Sequence, residues 1–187
     1  MFSLAEYLQA RNPNTPGIIN KLMMPPKRDL AHATKFWLEV RRRLAAKGRA
    51  DEVMDIYSGR PLHGALSIDH FLPWSFVAHD QFWNLLPVER STNSSKGDSV
   101  PDLKAYLVPC VRVHHAAFGV LDDQPWFLHD YCEFFQADVA TIRSLNEPAW
   151  AIRYQEVFRP LSEIAVNQGF PGAWRFRRSS SPINEAE

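Results

Sequence analysis

Apolar residues recur at helical spacing in four long stretches of this chain, and between residues 53 and 88 they fall into short extended blocks instead. In the first helical stretch Leu30, Ala33, Phe36, Trp37, Val40 and Leu44 share one face. That spacing predicts a helix over residues 29–48, with Asp29 as N-cap and Gly48 just past its end. A second helix is expected over residues 102–120, with Leu103, Leu107, Val111 and Ala117 inward and a break at Pro109. A third is expected over residues 125–145, aromatic on one face through Trp126, Phe127, Tyr131, Phe134 and Phe135. A fourth starts at Asn146-Glu147-Pro148 and runs over residues 149–167, with Trp150, Tyr154, Val157, Leu161 and Ile164 inward and Pro160 as a kink. Before all of these, residues 3–11 suit a short helix, and turn-rich breaks follow at residues 12–17 and at Pro25-Pro26.

The extended blocks read differently. Residues 53–57 and 65–70 are expected to be strands, and SGRPLHG between them is turn-like, so a hairpin is predicted. Pro73 ends the second strand. Residues 71–83 form an aromatic loop, 85–88 a short strand, and 89–96 a short helix closed by Gly97. The fold class is α+β, a small ββα core surrounded by helices. The expected organisation is an N-terminal helical flank (1–50), the core (51–101), a C-terminal helical region (102–168) and a flexible tail (169–187).

Composition narrows the class. The chain has 187 residues, enough for one domain with a real core. Twelve Phe and six Trp require substantial buried aromatic packing. No run of apolar residues is long enough to span a membrane, and the first residues lack the pattern of a secretory leader. Cys110 and Cys132 make neither a disulfide framework nor a zinc knuckle, so the reducing cytoplasm is the expected compartment. The net charge of zero conceals an asymmetry. Residues 27–49 carry eight basic side chains against Asp29 and Glu39. Arg41, Arg42 and Arg43 lie in that window and are candidates for phosphate contact, as against a solvated helix face.

The candidate chemistry is concentrated in residues 67–101, SIDHFLPWSFVAHDQFWNLLPVERSTNSSKGDSVP. Asp69-His70 is followed fourteen residues later by Asn84, nine further on by Asn93, and three after that by Lys96. A histidine suits activation of water. A carboxylate and an amide oxygen suit a hard divalent cation. Neighbours in a regular strand point to opposite faces, so Asp69 and His70 share a site only where the strand ends or twists. Asn93 and Lys96, three apart in a helix, share a face. His79-Asp80 reads as a turn, with a DNA-facing role as the alternative. His114-His115 reads as helix surface or partial burial, Trp74, Phe82 and Trp83 as packing around the loop, and Arg175, Arg177 and Arg178 as part of the tail.

This segment resembles the HNH (His-Me finger, ββα-metal) endonuclease family. DHFLPWS, WNLLP and NSSKGDSVP carry the likeness, and the version with Asn in third place is similar to the HNH domain of RNA-guided CRISPR nucleases and of bacterial HNH proteins. The resemblance implies His70 as general base, Asp69 and Asn93 as ligands of Mg²⁺ or Mn²⁺, and Asn84 holding the loop against the active-site strand. Lys96 would be an auxiliary phosphate contact. It also implies hydrolysis of DNA leaving a 5′ phosphate; nothing in the residues reads a 2′-hydroxyl, so RNA stays open. Many relatives carry a CxxC zinc knuckle, but Ser58 stands where a knuckle cysteine would, and no structural zinc is expected. The alternative is a nucleic-acid-binding subunit of a larger defence or mobile-element complex, inactive alone.

Overall fold

The computed structural model describes residues 7, 8, 11, 30–121 and 125–177. The expected helix at residues 3–11, the Pro25-Pro26 break, the Asp29 cap and Arg178 fall wholly or largely outside them. The described elements run α1 (Ala31–Ala46), β1 (Met54–Asp55), β2 (Arg60–Pro61), β3 (Ser67–His70), α2 (Trp74–Val77), β4 (Leu85–Val88), α3 (Arg90–Lys96), α4 (Leu103–Phe118), α5 (Pro125–Phe135), α6 (Val139–Ser144) and α7 (Glu147–Asn167). The fold is α+β, with two small antiparallel sheets among the described residues, β1-β2 and β3-β4. No described helix is long and apolar enough to cross a membrane.

Strand pairing departs from the expected hairpin. β1 pairs with β2 (Met54↔Pro61, Asp55↔Arg60), not with the strand at 65–70. Gly59, at φ 70°, lets the chain reverse several residues earlier than the sequence pattern suggested. The corner is held by Asp55, whose carboxylate accepts from the backbone N–H groups of Tyr57 (2.9 Å), Ser58 (3.3 Å) and Glu89 (3.2 Å). Glu89 stands just before α3, so this one buried carboxylate ties the first corner to the start of the site helix. β3 pairs instead with β4 in the register Ser67↔Val88, Ile68↔Pro87, Asp69↔Leu86 and His70↔Leu85. All four residues of β4 are buried, as expected of a strand covered on both faces.

The helices enclose this unit. α1 buries Ala33, Phe36, Trp37, Val40 and Leu44, the face its spacing predicts. α4 passes through Pro109 without ending, against the expected break. The helix expected over 125–145 is two. Gln136 takes a left-handed conformation (φ 53°), and Asp138 caps α6 by accepting from Thr141 N at 2.7 Å. α7 begins at an Asn146 cap and packs along α4. Trp150, Tyr154 and Phe158 recur every four residues along one face, and the Tyr154 and Phe158 rings lie nearly parallel at 5.3 Å. Phe158 reaches the core unit itself. Its ring lies 5.1 Å from Phe71, the residue after His70, and 5.6 Å from Trp83, the residue before Asn84.

Within the segment expected to be a flexible tail, Phe170, Trp174 and Phe176 pack against the core, while the other residues from 169 to 177 are exposed. Trp174 forms a parallel bridge with Pro101, and its ring meets Tyr57 at 5.2 Å and Tyr106 at 6.2 Å. Arg175 pairs with Asp102, and Phe176 N–H donates to the Tyr106 hydroxyl at 2.9 Å. A single large aromatic with two ring partners outweighs the polar composition around it.

Candidate active site

β3, β4 and α3 form a ββα unit around a small cavity of about 120 Å³, lined by Asp69, His70, Pro73, Trp74, Asn93, Gly97 and Asp98. Asp69 and His70 are the last two residues of β3, and both are buried. Regular alternation would part them, yet both border the cavity, because the strand ends there and the chain turns through Pro73 into α2.

Asn84 is fully buried and clamps that turn. Its Oδ1 accepts from Leu72 N–H at 2.8 Å, and its Nδ2 donates to Leu72 C=O at 3.0 Å. Its own backbone carbonyl accepts from Phe71 N–H at 2.8 Å. One residue thus fixes three backbone groups immediately after His70.

Asn93 sits on α3 facing β3. Its Nδ2 donates to Ser67 Oγ at 2.8 Å and to Ile68 C=O at 3.1 Å. A carbonyl only accepts, so the amide nitrogen must face the strand, and Oδ1 is the atom left for the cavity.

Asp69 is held by two donors. Tyr57 Oη donates to Oδ2 at 2.8 Å and Lys96 Nζ to Oδ1 at 3.1 Å. Lys96 also donates to His70 C=O at 2.7 Å. Burial pushes the Asp69 carboxyl above its ordinary range, while the Lys96 ammonium and the Tyr57 hydroxyl pull against that rise. Burial and then the Asp69 charge push the Tyr57 phenol well above its ordinary value, so it stays a donor. Lys96 differs from the expectation of a phosphate contact. It is 2% exposed, and its ammonium points inward at Asp69 and the β3 backbone. Three residues on from Asn93, it shares that residue's side of the helix, but the side is the protein interior.

His70 is 2% exposed, and its Nε2 lies 2.7 Å from Asp80 Oδ1. Asp80 belongs to the loop between α2 and β4, which is fastened to α5: Phe82 N–H donates to Asp130 at 2.9 Å and Gln81 Nε2 to Glu133 at 3.5 Å.

Other expected contacts resolve differently. Arg41 donates to the carbonyls of Leu62 and Gly64, Arg42 pairs bidentately with Glu39 at 2.7 Å, and Arg43 reaches Glu39 and Val120 C=O. Each guanidinium therefore has an internal partner, although Arg42 remains largely exposed. Phe82 and Trp83 are core residues, whereas Trp74 lines the cavity. His114 is fully buried against Tyr131, deeper than the helix-surface or partly buried position expected. Tyr57, Asp80 and Asp98 are the site residues that sequence reasoning missed. Asp98 follows Gly97 at the end of α3, and only its place inside NSSKGDSVP marks it.

The donor set fits a hard divalent cation. Asp69 and Asn93 offer oxygens, Asp98 adds a carboxylate to the same cavity, and no thiol lines it. A larger, open hollow of about 410 Å³ lies between the start of α4, the end of α7 and Ala173. Its carboxylates are paired, Asp102 with Arg175 and Glu163 with Arg159, and among the described residues no histidine or lysine lines it.

Residues 55–102 match the model of a family described as HNH endonuclease. The match spans β1 to the start of α4 and contains Tyr57, Asp69, His70, Asp80, Asn84, Asn93, Lys96 and Asp98. No curated protein and no solved structure matches this chain.

Proposed function

We propose that the HNH endonuclease segment at residues 55–102 is the active site of a metal-dependent nuclease that hydrolyses phosphodiester bonds in DNA. The observation that carries this reading is the convergence of His70, Asp69 and Asn93, from the end of one strand and one helix, on a single cavity. His70 acts as general base and takes a proton from the attacking water. Asp69 and Asn93 hold Mg²⁺ or Mn²⁺ through Oδ atoms. When bound, such an ion supplies Lewis-acid stabilisation of charge at the phosphate and the leaving oxygen.

The remaining residues keep these groups in place. Asn84 locks the backbone after His70, which fixes where the imidazole starts. Lys96 and Tyr57 hold the Asp69 carboxylate in one orientation and compensate its burial. Asn93 is fixed through its nitrogen, so its oxygen needs no rearrangement to serve as a ligand.

The test is incubation of the purified protein with supercoiled plasmid and with single-stranded DNA, in Mg²⁺, Mn²⁺ or EDTA, alongside His70→Ala. Nicking that needs metal and is lost in His70→Ala is the expected result. Cleavage that survives His70→Ala would remove the general-base assignment. Absence of cleavage by the wild type in every metal would instead favour a subunit that works only within a larger complex.

A further inference from the structure

We propose that residues 170–176 form a strap that completes the active site from outside the family segment, with Trp174 as a positioning residue: it encloses Tyr57 and so fixes the Asp69 carboxylate that Tyr57 holds. The inference rests on the nuclease reading above, and it gives a task to a stretch lying well beyond the matched residues 55–102.

The chain returns to the site because α7 is stopped. Gly169 is left-handed (φ 97°), and Phe170 N–H donates back to Ala165 C=O at 3.1 Å. Two aromatic anchors follow. The Phe170 ring meets Phe76 of α2 edge-on at 5.7 Å, and the same short helix carries Trp74 into the lining of the cavity. The Trp174 ring meets Tyr57 edge-on at 5.2 Å. Between the anchors the backbone is tied to the end of the site motif. Val100 N–H donates to Pro171 C=O at 2.7 Å, Trp174 N–H to Val100 C=O at 3.0 Å, and Asp102 N–H to Trp174 C=O at 3.0 Å. Val100 follows closely on Asp98, another cavity residue. The strap therefore grips α2 and the segment after α3, both of which supply side chains to the cavity.

Its third hold is on the ligand itself. Three rings box the Tyr57 phenol: Phe71 at 6.5 Å, Tyr106 at 5.0 Å and Trp174 at 5.2 Å. Phe71 and Tyr106 are buried whereas Trp174 is half-buried, so Trp174 is the wall between Tyr57 and solvent. Behind that wall the hydroxyl donates to Asp69 Oδ2 at 2.8 Å, while Lys96 holds Oδ1. With a donor on each oxygen the carboxylate keeps one orientation. Removing the indole admits water, which competes for the phenol and frees Oδ2. The carboxylate must then be ordered at the moment a cation binds, and that ordering costs affinity.

Metal-free protein reads the first link. By ¹H NMR the Tyr57 hydroxyl proton is expected as a downfield signal in slow exchange with water, identified by its loss in Tyr57→Phe. Trp174→Ala should lose the signal to exchange, and Trp174→Phe should keep it. The second link is read by Mn²⁺ titration followed by EPR, without DNA. Trp174→Ala is expected to raise the Kd roughly 10-fold, the lower end of what loss of an outer partner costs, and Trp174→Phe to leave it near the wild-type value. A merely structural tryptophan would act independently of the phenol. Trp174→Ala is therefore also placed in Tyr57→Phe, where it should add no further loss of affinity. Trp174→Leu replaces the alanine variant if that protein does not fold. A wild type without the hydroxyl signal, a signal retained in Trp174→Ala, or affinity losses that add in the double variant would each overturn the proposal. A signal present in the wild type and lost in Trp174→Ala, with no Mn²⁺ bound by either, would remove the nuclease reading and leave the strap's hold on Asp69 standing.

Discussion

Lys96 and Asp69 form an ion pair closed off from solvent: Nζ and Oδ1 are 3.1 Å apart, and the two side chains are 0% and 4% exposed. The third strand and the third helix are joined through it, because the same ammonium bonds the His70 carbonyl. Replacing Lys96 by Met removes the cation and leaves a buried carboxylate with only the Tyr57 hydroxyl. Lys96→Met is expected to lower unfolding free energy by about 3–5 kcal/mol. Urea denaturation measures this, and Lys96→Met/Asp69→Asn should be less destabilised than Lys96→Met alone. A loss below about 0.5 kcal/mol would mean that Lys96 behaves as an ordinary surface lysine.

Asn84 supports the site without lining its cavity. Truncation to Ala leaves Leu72 N–H and C=O without the partners they have at 2.8 and 3.0 Å. Two buried backbone groups at about 1–3 kcal/mol each set an expected loss of roughly 2–4 kcal/mol after partial relaxation. Because the freed backbone follows directly after His70, kcat should fall as well, at temperatures where the variant remains folded. Full activity in a folded Asn84→Ala protein would show that the clamp serves stability alone.

The parts of this site that were legible in the sequence are those whose meaning is carried by spacing within one motif. Asp69-His70, Asn84 and Asn93 fall at fixed offsets, and the short strand and helix that bear them are bounded by Pro73 and Gly97. Tyr57 and Asp80 were not legible. Each meets its partner across a loop, twelve and ten residues away, and His79-Asp80 carries the composition of a turn. Lys96 was legible as important and misread in direction, since a lysine on a short polar helix gives no sign that its side faces inward. The strand at 53–57 suggested pairing with 65–70 because both have extended patterns. A positive-φ glycine inside the intervening turn decided otherwise. The long helices were legible from their apolar faces. The division of 125–145 rested on one left-handed Gln136 and an Asp138 cap, features that weigh little against a continuous aromatic face.

Metal binding can be read without catalysis. A cation held by the folded site stabilises by about 2.7 kcal/mol at a hundredfold excess over its dissociation constant. Thermal unfolding of the wild type is expected to shift upward with Mg²⁺ and with Mn²⁺. Asp69→Asn and Asn93→Ala should lose most of that shift, and His70→Ala should keep it. Equal shifts in all four proteins would place the binding outside this cavity.

His114 makes stability depend on pH for a reason unconnected with the site. It is fully buried, its Nδ1 lies 2.6 Å from the Tyr131 hydroxyl, and burial drives its pKa down from 6.5 to about 3. The folded protein therefore excludes a proton that the unfolded chain takes up below about pH 6.5. The stabilisation is complete above the unfolded value and is lost progressively as pH falls from about 6.5 toward about 3. By linkage this group alone should remove about 2 kcal/mol between about pH 7 and pH 5. The informative quantity is a difference between two proteins. His114→Asn, whose amide can still meet the Tyr131 hydroxyl, should be less stable than the wild type at pH 7 and should lose less between pH 7 and pH 5. Parallel urea-stability curves for the two proteins across that window would mean that His114 is protonated as easily in the fold as outside it.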